Sequence, residues 1–294
     1  MSGAASVTAQ AKVNLALRVL ARERSGYHQI ETLFARLDLG DEVRVRTGVA
    51  GRSLDAAGPA MPAAGLGPID RNLAWRAAAA YAEATGWPRG FAIEIEKRIP
   101  VGGGLAGGSA DAGAVLRLLD HLNPSPVGAE RLLALATPLG ADVPFLASEA
   151  ALALGWGRGE RLLALPALPP REVRLVVPPF GVATADAYAW LAASRERTPE
   201  ARLLEGASLA HWSGVAAIAS NDFEPVVFGR HPELSAIAAR LRAAGARIAL
   251  LSGSGSTVFG IFDVAPAAGA LAEVGGHVLA TRTATRVVAP VRSG

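Results

Sequence analysis

The 294-residue chain contains no cysteine. That absence excludes disulfides, thiolate zinc sites, iron–sulfur ligation and a cysteine nucleophile, so any chemistry here rests on oxygen and nitrogen groups. No apolar run approaches the roughly 18 to 20 residues needed to span a bilayer, and Met1 to Leu20 lacks the basic flank and unbroken apolar block of a signal peptide. A soluble cytoplasmic protein with no membrane partner is expected. Lysine is almost missing: among 29 basic residues only Lys12 and Lys97 are lysine, and the others are arginine. A compact ammonium and a planar guanidinium are not interchangeable at a precise site. Both lysines are therefore candidates for function, against the alternative that they are chance survivors of a compositional bias.

Hydrophobic residues make up 51% and charged residues 19%, a balance that excludes wholesale disorder. The length suits about two domains, each with its own core, and a cleft between two lobes is the first expectation. The formal charge of +3 is spread along the chain. No basic stripe with interleaved aromatics points to nucleic acid.

From Val7 to Val19 the odd positions are apolar, which predicts a strand with Lys12 and Asn14 side by side on its other face. A turn at Arg24 to Gly26 precedes Tyr27 and His28, and a second strand is expected at Glu42 to Arg46. Residues 50–67 read as a loop, Arg71 to Ala84 as a helix with Asp70 or Asn72 near its start, and Phe91 to Ile99 as a strand with one wet face. Helices are expected at Ser109 to Leu122 and Ala129 to Leu139. Beyond the prolines of Pro166 to Pro170, the pattern predicts strand Val173 to Val177 and helices over 185–195 and 231–244. The tail reads as strands Arg247 to Leu251 and Thr257 to Phe262, a short helix near 266–274 and a last strand near 277–289. Such an ending predicts an α+β second lobe.

The strongest local signal is Val101 to Ser109, with five glycines between Gly102 and Gly108, leading directly into a helix. Glycines allow close backbone approach, and a helix N-terminus offers unpaired N–H groups and partial positive charge, so the segment suits phosphate. Gly102, Gly104 and Gly107 satisfy G-x-G-x-x-G, but the preceding strand alternates with glutamates, whereas the first strand of a dinucleotide fold is apolar on both faces. A Walker A loop is excluded because Ser109 stands where its lysine belongs. A second glycine and serine loop, Leu251 to Thr257, reads equally as an anion nest or a hairpin turn. Asp142, after the helix stop at Gly140 and before Pro144, reads as a helix N-cap or as a base held ionised by Lys12.

Taken together, these residues resemble the GHMP kinase superfamily, and within it the branch acting on 4-diphosphocytidyl-2-C-methyl-D-erythritol. The resemblance lies in Ala11 to Leu15, Gly26-Tyr27-His28, Asp70 to Leu73, Pro100 to Gly113, Gly140 to Pro144, Asn221 to Glu224 and Ser252 to Phe259. It implies a two-lobed α+β fold, with an N-terminal lobe over 1–157 like ribosomal protein S5 domain 2 and a ferredoxin-like lobe over 158–294. It also implies an ATP-dependent, magnesium-requiring kinase for the 2-hydroxyl of that alcohol, a monomer or weak homodimer with a small-molecule substrate. Carried over by position, Asp142 is the base and Lys12 holds Asp142 and the hydroxyl in place. Asn72, Leu73 and Lys97 join Pro100, Val101, Gly102, Gly103, Gly104, Leu105, Ala106, Gly107, Gly108 and Ser109 at ATP. Asn14, Tyr27, His28, Thr184, Tyr188, Gly253, Ser254 and Gly255 hold the acceptor. His28 reads the cytosine edge, with Tyr27 on one ring face and Tyr188, or its rival Phe180, on the other. Ser109 and Asp111 fall to the metal side, because Asp111 in the first turn of the helix would otherwise repel phosphate. Ala106 departs from a glycine common at that position in the superfamily.

Overall fold

The computed structural model describes residues 2–23, 28–194 and 206–293. In chain order the elements are β1 (Gly3–Arg22), β2 (His28–Thr47), β3 (Arg52–Ala57), α1 (Leu73–Thr85), β4 (Phe91–Glu96) and α2 (Gly107–Leu122). They continue as α3 (Ala129–Ala136), α4 (Val143–Ala147), β5 (Leu152–Gly157), β6 (Arg161–Leu165), β7 (Glu172–Val177) and α5 (Thr184–Ser194). The remainder is α6 (Trp212–Ile218), β8 (Ser220–Asn221), α7 (Glu224–Arg230), α8 (Pro232–Ala243), β9 (Ile248–Leu251), β10 (Val258–Phe262), β11 (His277–Arg282) and β12 (Val291–Ser293). Among these residues no helix is long and apolar enough to cross a membrane.

The strands form two sheets. The first runs β12-β1-β2-β4-β3, with β5 on β2, β6 on β5 and β8 on β1. The second is antiparallel and ordered β11-β7-β10-β9, the 4-1-3-2 order of a ferredoxin-like sheet. The helix expected near 266–274 is absent; those residues form turns. Pro266 cannot continue a helix as a hydrogen-bond donor, and Gly269 and Glu273 take positive φ values of 78° and 55°, which interrupt helical winding. The strand expected near 277–289 ends at Arg282, and a separate short strand follows at Val291–Ser293.

Two further differences concern the first sheet. β2 begins fourteen residues before the strand expected at Glu42, and the β5–β6 hairpin was not anticipated. In β2 the polar side chains of Thr32, Arg36 and Asp41 are buried with the apolar ones, so the sequence lacks the alternation that marks a half-wet strand. Both faces of the second sheet are covered as well. Val173, Leu175, Leu250, Phe259 and Ile261 join the core of the first lobe, whereas Val176, Leu251, Val258 and Phe262 pack with the residues of α5, α7 and α8.

Register shifts in the β1–β2 ladder fall between Gln10 and Lys12 and between Asn14 and Ala16. Bulges of this kind re-aim side chains at a strand position, and here they bracket Lys12 and Asn14. Opposite Lys12 stands Arg36, whose guanidinium is buried and donates to the carbonyls of Phe145 (2.7 Å), Ser148 (2.9 Å) and Ala150 (2.9 Å). These are acceptors at and beyond the C-terminus of α4, where a helix leaves carbonyls unpaired. Burial pulls the Arg36 pKa down to about 9, which keeps it charged at neutral pH. Arg36 thereby anchors the short helix that follows Asp142.

A buried ion triad braces the glycine loop. Lys97, just after β4, is 2% exposed, and its ammonium donates to Asp41 of β2 and to Asp111 of α2 (2.7 Å). The other Asp41 oxygen accepts the backbone N–H groups of Arg98 (2.5 Å) and Ile99 (2.8 Å). Both ends of the loop are tied to one strand in this way. Two carboxylates sharing one cation in a desolvated place leave an uncompensated negative charge. Burial, aided by the Asp41 charge, therefore pushes Asp111 up to about 7 against the opposing pull of Lys97.

Two outcomes follow for stability. Replacing Arg36 by Met strands three buried carbonyls and is expected to lower the unfolding free energy by about 3 kcal/mol or more, read from urea unfolding at neutral pH. For Asp111 the folded-state proton affinity exceeds that of an unfolded aspartate. Its contribution is thus full below about pH 4 and lost as the pH rises through about 7. Asp111→Asn is expected to flatten that decline in urea titrations between these pH values; an unchanged slope would show that another group causes it.

Candidate active site

A cleft of about 1560 Å³ lies between the lobes. Its walls include β1 at Lys12 and Asn14, the start of α1 at Asn72 and Leu73, the whole segment from Pro100 to Ser109, and Gly140 to Asp142. From the second lobe come Thr184, Tyr188, Gly253, Ser254 and Gly255. Every site residue expected from sequence that lies among the described residues lines this cleft. Tyr27 lies outside the described residues.

At the end of the cleft where α1 and α2 begin, Asn72 caps α1, accepting the N–H of Ala74 at 2.9 Å; of the two candidates for the start of that helix, it is the cap. α2 begins two residues earlier than expected, at Gly107. Its first backward bond runs from the Ala110 N–H to the Ala106 carbonyl at 2.8 Å, so the N–H groups of Gly107, Gly108 and Ser109 precede the helical ladder and are available at the helix end. Ala106 itself holds φ 58° and ψ 34°, the left-handed conformation a glycine would supply, at a cost of roughly 1 kcal/mol. The departure from the common glycine therefore leaves the loop's shape intact. Gly104 has no such latitude: at φ +79° a Cβ there would lie 2.0 Å from the Ser252 carbonyl oxygen.

Asp111 corrects an expectation. It lies beyond the first turn of α2, which carries no acidic residue, and its carboxylate is 4% exposed and bound to Lys97. Ser109 and Asp111 both line the cleft, and Asp111 Oδ1 is buried without a hydrogen-bond partner. Among the described residues no three His, Asp or Glu side chains are grouped to hold a metal. Lys97, placed at ATP by the resemblance, is a buried partner of two carboxylates.

Lys12 and Asp142 come together. The ammonium is 3.5 Å from Asp142 Oδ2, with the lysine side chain 4% and the aspartate side chain 30% exposed. Lys12 Nζ also donates to Asn14 Oδ1 (2.7 Å) and to the Gly104 carbonyl (3.2 Å). Asn14 in turn donates to Thr32 Oγ1 at 2.8 Å, and Thr32 donates to the Ala16 carbonyl at 2.8 Å. Asp142 stands at the N-cap position of α4 but makes no capping hydrogen bond. Its carboxylate faces the cleft and Lys12, not its own helix.

The Gly104 carbonyl accepts a second bond, from Ser252 Oγ at 3.0 Å. The two glycine loops thus meet at one atom. Thr184 Oγ1 and Ser254 Oγ are 2.9 Å apart, which ties the start of α5 to the second loop. Farther along the cleft the His28 and Tyr188 rings stack with centroids 4.4 Å apart. Burial, with the Asp142 charge adding to it, pushes the Tyr188 hydroxyl up to about 12, so that ring stays neutral. Phe180 is not in the cleft wall; it stacks on His231 at 5.1 Å. Sequence reasoning missed Asp41, Ser252 as a donor to Gly104, and Arg36. The scarcity of lysine was a usable signal for Asp41, since a buried Lys97 requires an acidic partner.

Comparison with known proteins agrees with this geometry. Residues 72–149 match the family described as GHMP kinases N terminal domain, and residues 201–277 match GHMP kinases C terminal. The chain is 43% identical over 256 residues to 4-diphosphocytidyl-2-C-methyl-D-erythritol kinase of Geobacter sp. strain M21, covering 87% of this chain and 88% of that one. It is 40% identical over 261 residues to the enzyme of the same name from Moorella thermoacetica, covering 87% and 89%. The crystal structure of a 4-(cytidine 5'-diphospho)-2C-methyl-D-erythritol kinase superposes with a TM-score of 0.75 at 37% identity, over 95% of this chain and 99% of that one. Homoserine kinase from Cytophaga hutchinsonii, at 18% identity and TM-score 0.67 over 98% and 97%, shares the fold. With relatives of this identity and coverage, and with the α+β two-sheet architecture in common, the chain belongs to the 4-diphosphocytidyl-2-C-methyl-D-erythritol kinase family of GHMP kinases.

Proposed function

We propose that this protein transfers the γ-phosphoryl group of ATP to the 2-hydroxyl of 4-diphosphocytidyl-2-C-methyl-D-erythritol, a step of non-mevalonate isoprenoid precursor biosynthesis. The observation that carries the reading is the Lys12–Asp142 pair, 3.5 Å apart, beside the glycine loop whose Gly104 carbonyl Lys12 also holds. A phosphoryl transfer asks the protein mainly for positioning, a base and charge neutralisation.

In this reading the nucleotide phosphates lie against the N–H groups opening α2, and the acceptor hydroxyl lies beside Asp142. Asp142 accepts the hydroxyl proton as the new P–O bond forms and the bond between the β and γ phosphates breaks, leaving ADP with the bridging oxygen. Lys12, 3.5 Å from Asp142, orients its carboxylate and offers positive charge where negative charge moves. Asn14, bonded to Lys12 and Thr32, fixes the direction of that ammonium. No covalent enzyme intermediate is formed. The cytosine sits at His28 and Tyr188, with Tyr27 as the second aromatic cover, and Thr184 with Gly253 to Gly255 walls the polyol. Ser109 would be the side chain to meet a magnesium ion bound with the nucleotide, which would offset phosphate charge, and Asp111 braces the loop through Lys97.

Two measurements test this. ADP release from ATP and magnesium is expected to depend on 4-diphosphocytidyl-2-C-methyl-D-erythritol, and Asp142→Asn is expected to lower kcat about 100-fold or more; undiminished turnover in that variant would remove the base assignment. A polyol phosphate lacking cytidine is expected to lose most of kcat/KM, and Tyr188→Leu to raise the acceptor KM about tenfold through lost stacking. Equal turnover of the truncated acceptor would point to a different alcohol substrate.

A further inference from the structure

Asn221 to Glu224 is a sequence motif for which the chemistry above finds no use, and none of its polar side chains lines the cleft. Its main chain belongs to the first lobe. β8 pairs in parallel with β1 at Ala16–Ser220 and Leu17–Asn221, the Asp222 N–H donates to the Leu17 carbonyl at 2.9 Å, and Asp222 Oδ2 accepts the Val19 N–H at 2.8 Å. Its side chains reach the second lobe. Asn221, 4% exposed, donates from one nitrogen to two carbonyls, Leu251 at 2.8 Å and Gly253 at 2.7 Å. Its oxygen accepts the Phe223 N–H at 2.9 Å, which fixes the orientation of the amide. Glu224 accepts the Leu251 N–H at 2.8 Å, and Phe223 meets Tyr188 edge-on at 4.9 Å.

The grip falls where position matters. A Cβ placed on Gly253 would lie 3.4 Å from the Gly104 oxygen, 3.6 Å from Lys12 Nζ and 3.8 Å from Asn14 Oδ1. The Gly253 backbone is therefore the near wall of the Lys12–Asn14 site, and the Asn221 amide determines how far that wall stands from β1. Only a group with two N–H bonds on one atom serves both carbonyls; a carboxylate of the same shape would repel them.

We propose that Asn221 is a positioning residue for phosphoryl transfer, acting through the Gly253 carbonyl to hold the second glycine loop against Lys12 and Gly104. This rests on the functional reading above and extends it to a residue that touches neither substrate. Without the amide clamp the loop retains its covalent ends at β9 and β10 but loses its registry with β1. The acceptor side then loosens, while the nucleotide loop keeps its own brace through Lys97.

The test uses full-length Asn221→Asp and Asn221→Ser, the second being the milder change should the first fold poorly. Hydrogen–deuterium exchange of the peptide over 249–258 is expected to quicken at least tenfold. In the same preparations kcat/KM for the acceptor is expected to fall at least tenfold per folded molecule, with the dissociation constant for ADP changed less than threefold. Exchange and kinetics that match wild type once corrected for folded fraction would overturn the proposal and leave Asn221 a stabilising residue only. A wild-type protein that shows no acceptor-dependent ADP release would instead overturn the functional reading, and with it the role in catalysis.

Discussion

An ammonium that is 3% exposed has given up its water and must find protein acceptors, and the chain supplies them to Lys12 by bringing segments together at one point. Asn14 comes from the same strand, the Gly104 carbonyl from the first glycine loop, and Asp142 from the segment before α4. Satisfying one cation thereby orders the three parts that a phosphoryl transfer needs. The bulges on both sides of Lys12 and Asn14 are the backbone's share of that arrangement.

The other lysine follows the same rule with a different result. Lys97 is enclosed by two carboxylates instead of carbonyls, and the surplus negative charge is buried with it. Each lysine thus fixes a boundary of the glycine loop, Lys12 at its Gly104 carbonyl and Lys97 at its two ends. A guanidinium is broader and planar, and neither crowded enclosure offers its fork geometry. That accounts physically for two lysines surviving in a chain otherwise supplied with arginine.

Much of this was legible in residues. Alternation exposed β1 with Lys12 and Asn14 on a common face, the glycine run followed by helical composition exposed the loop and α2, and the Lys12–Asp142 pairing was inferable from the charges. The first half of β2 was not legible, because its buried polar residues erase the period of two. Asp41, Arg36 and Ser252 escaped for a related reason: each satisfies backbone or charge from a segment far away in sequence, and local patterning carries no record of such partners. The turns near 266–274 show the reverse error, where an alanine-rich composition suggested a helix that Pro266, Gly269 and Glu273 interrupt. Asp111 was placed on the correct helix, but its bond to Lys97 was not legible, since only the fold brings the two together.

The close approach of Gly104 to Ser252 also constrains how such a chain drifts over generations. Ala106 shows that a methyl is tolerated in a left-handed position of the same loop, so glycine content alone is not what selection preserves there. At Gly104 the obstacle is the backbone of the other lobe, 2.0 Å from where a Cβ would stand. No rotamer change relieves a clash with a carbonyl. Substitution at that position requires a simultaneous shift in a loop nearly 150 residues away, so the backbone of one glycine loop sets which residue the other can carry.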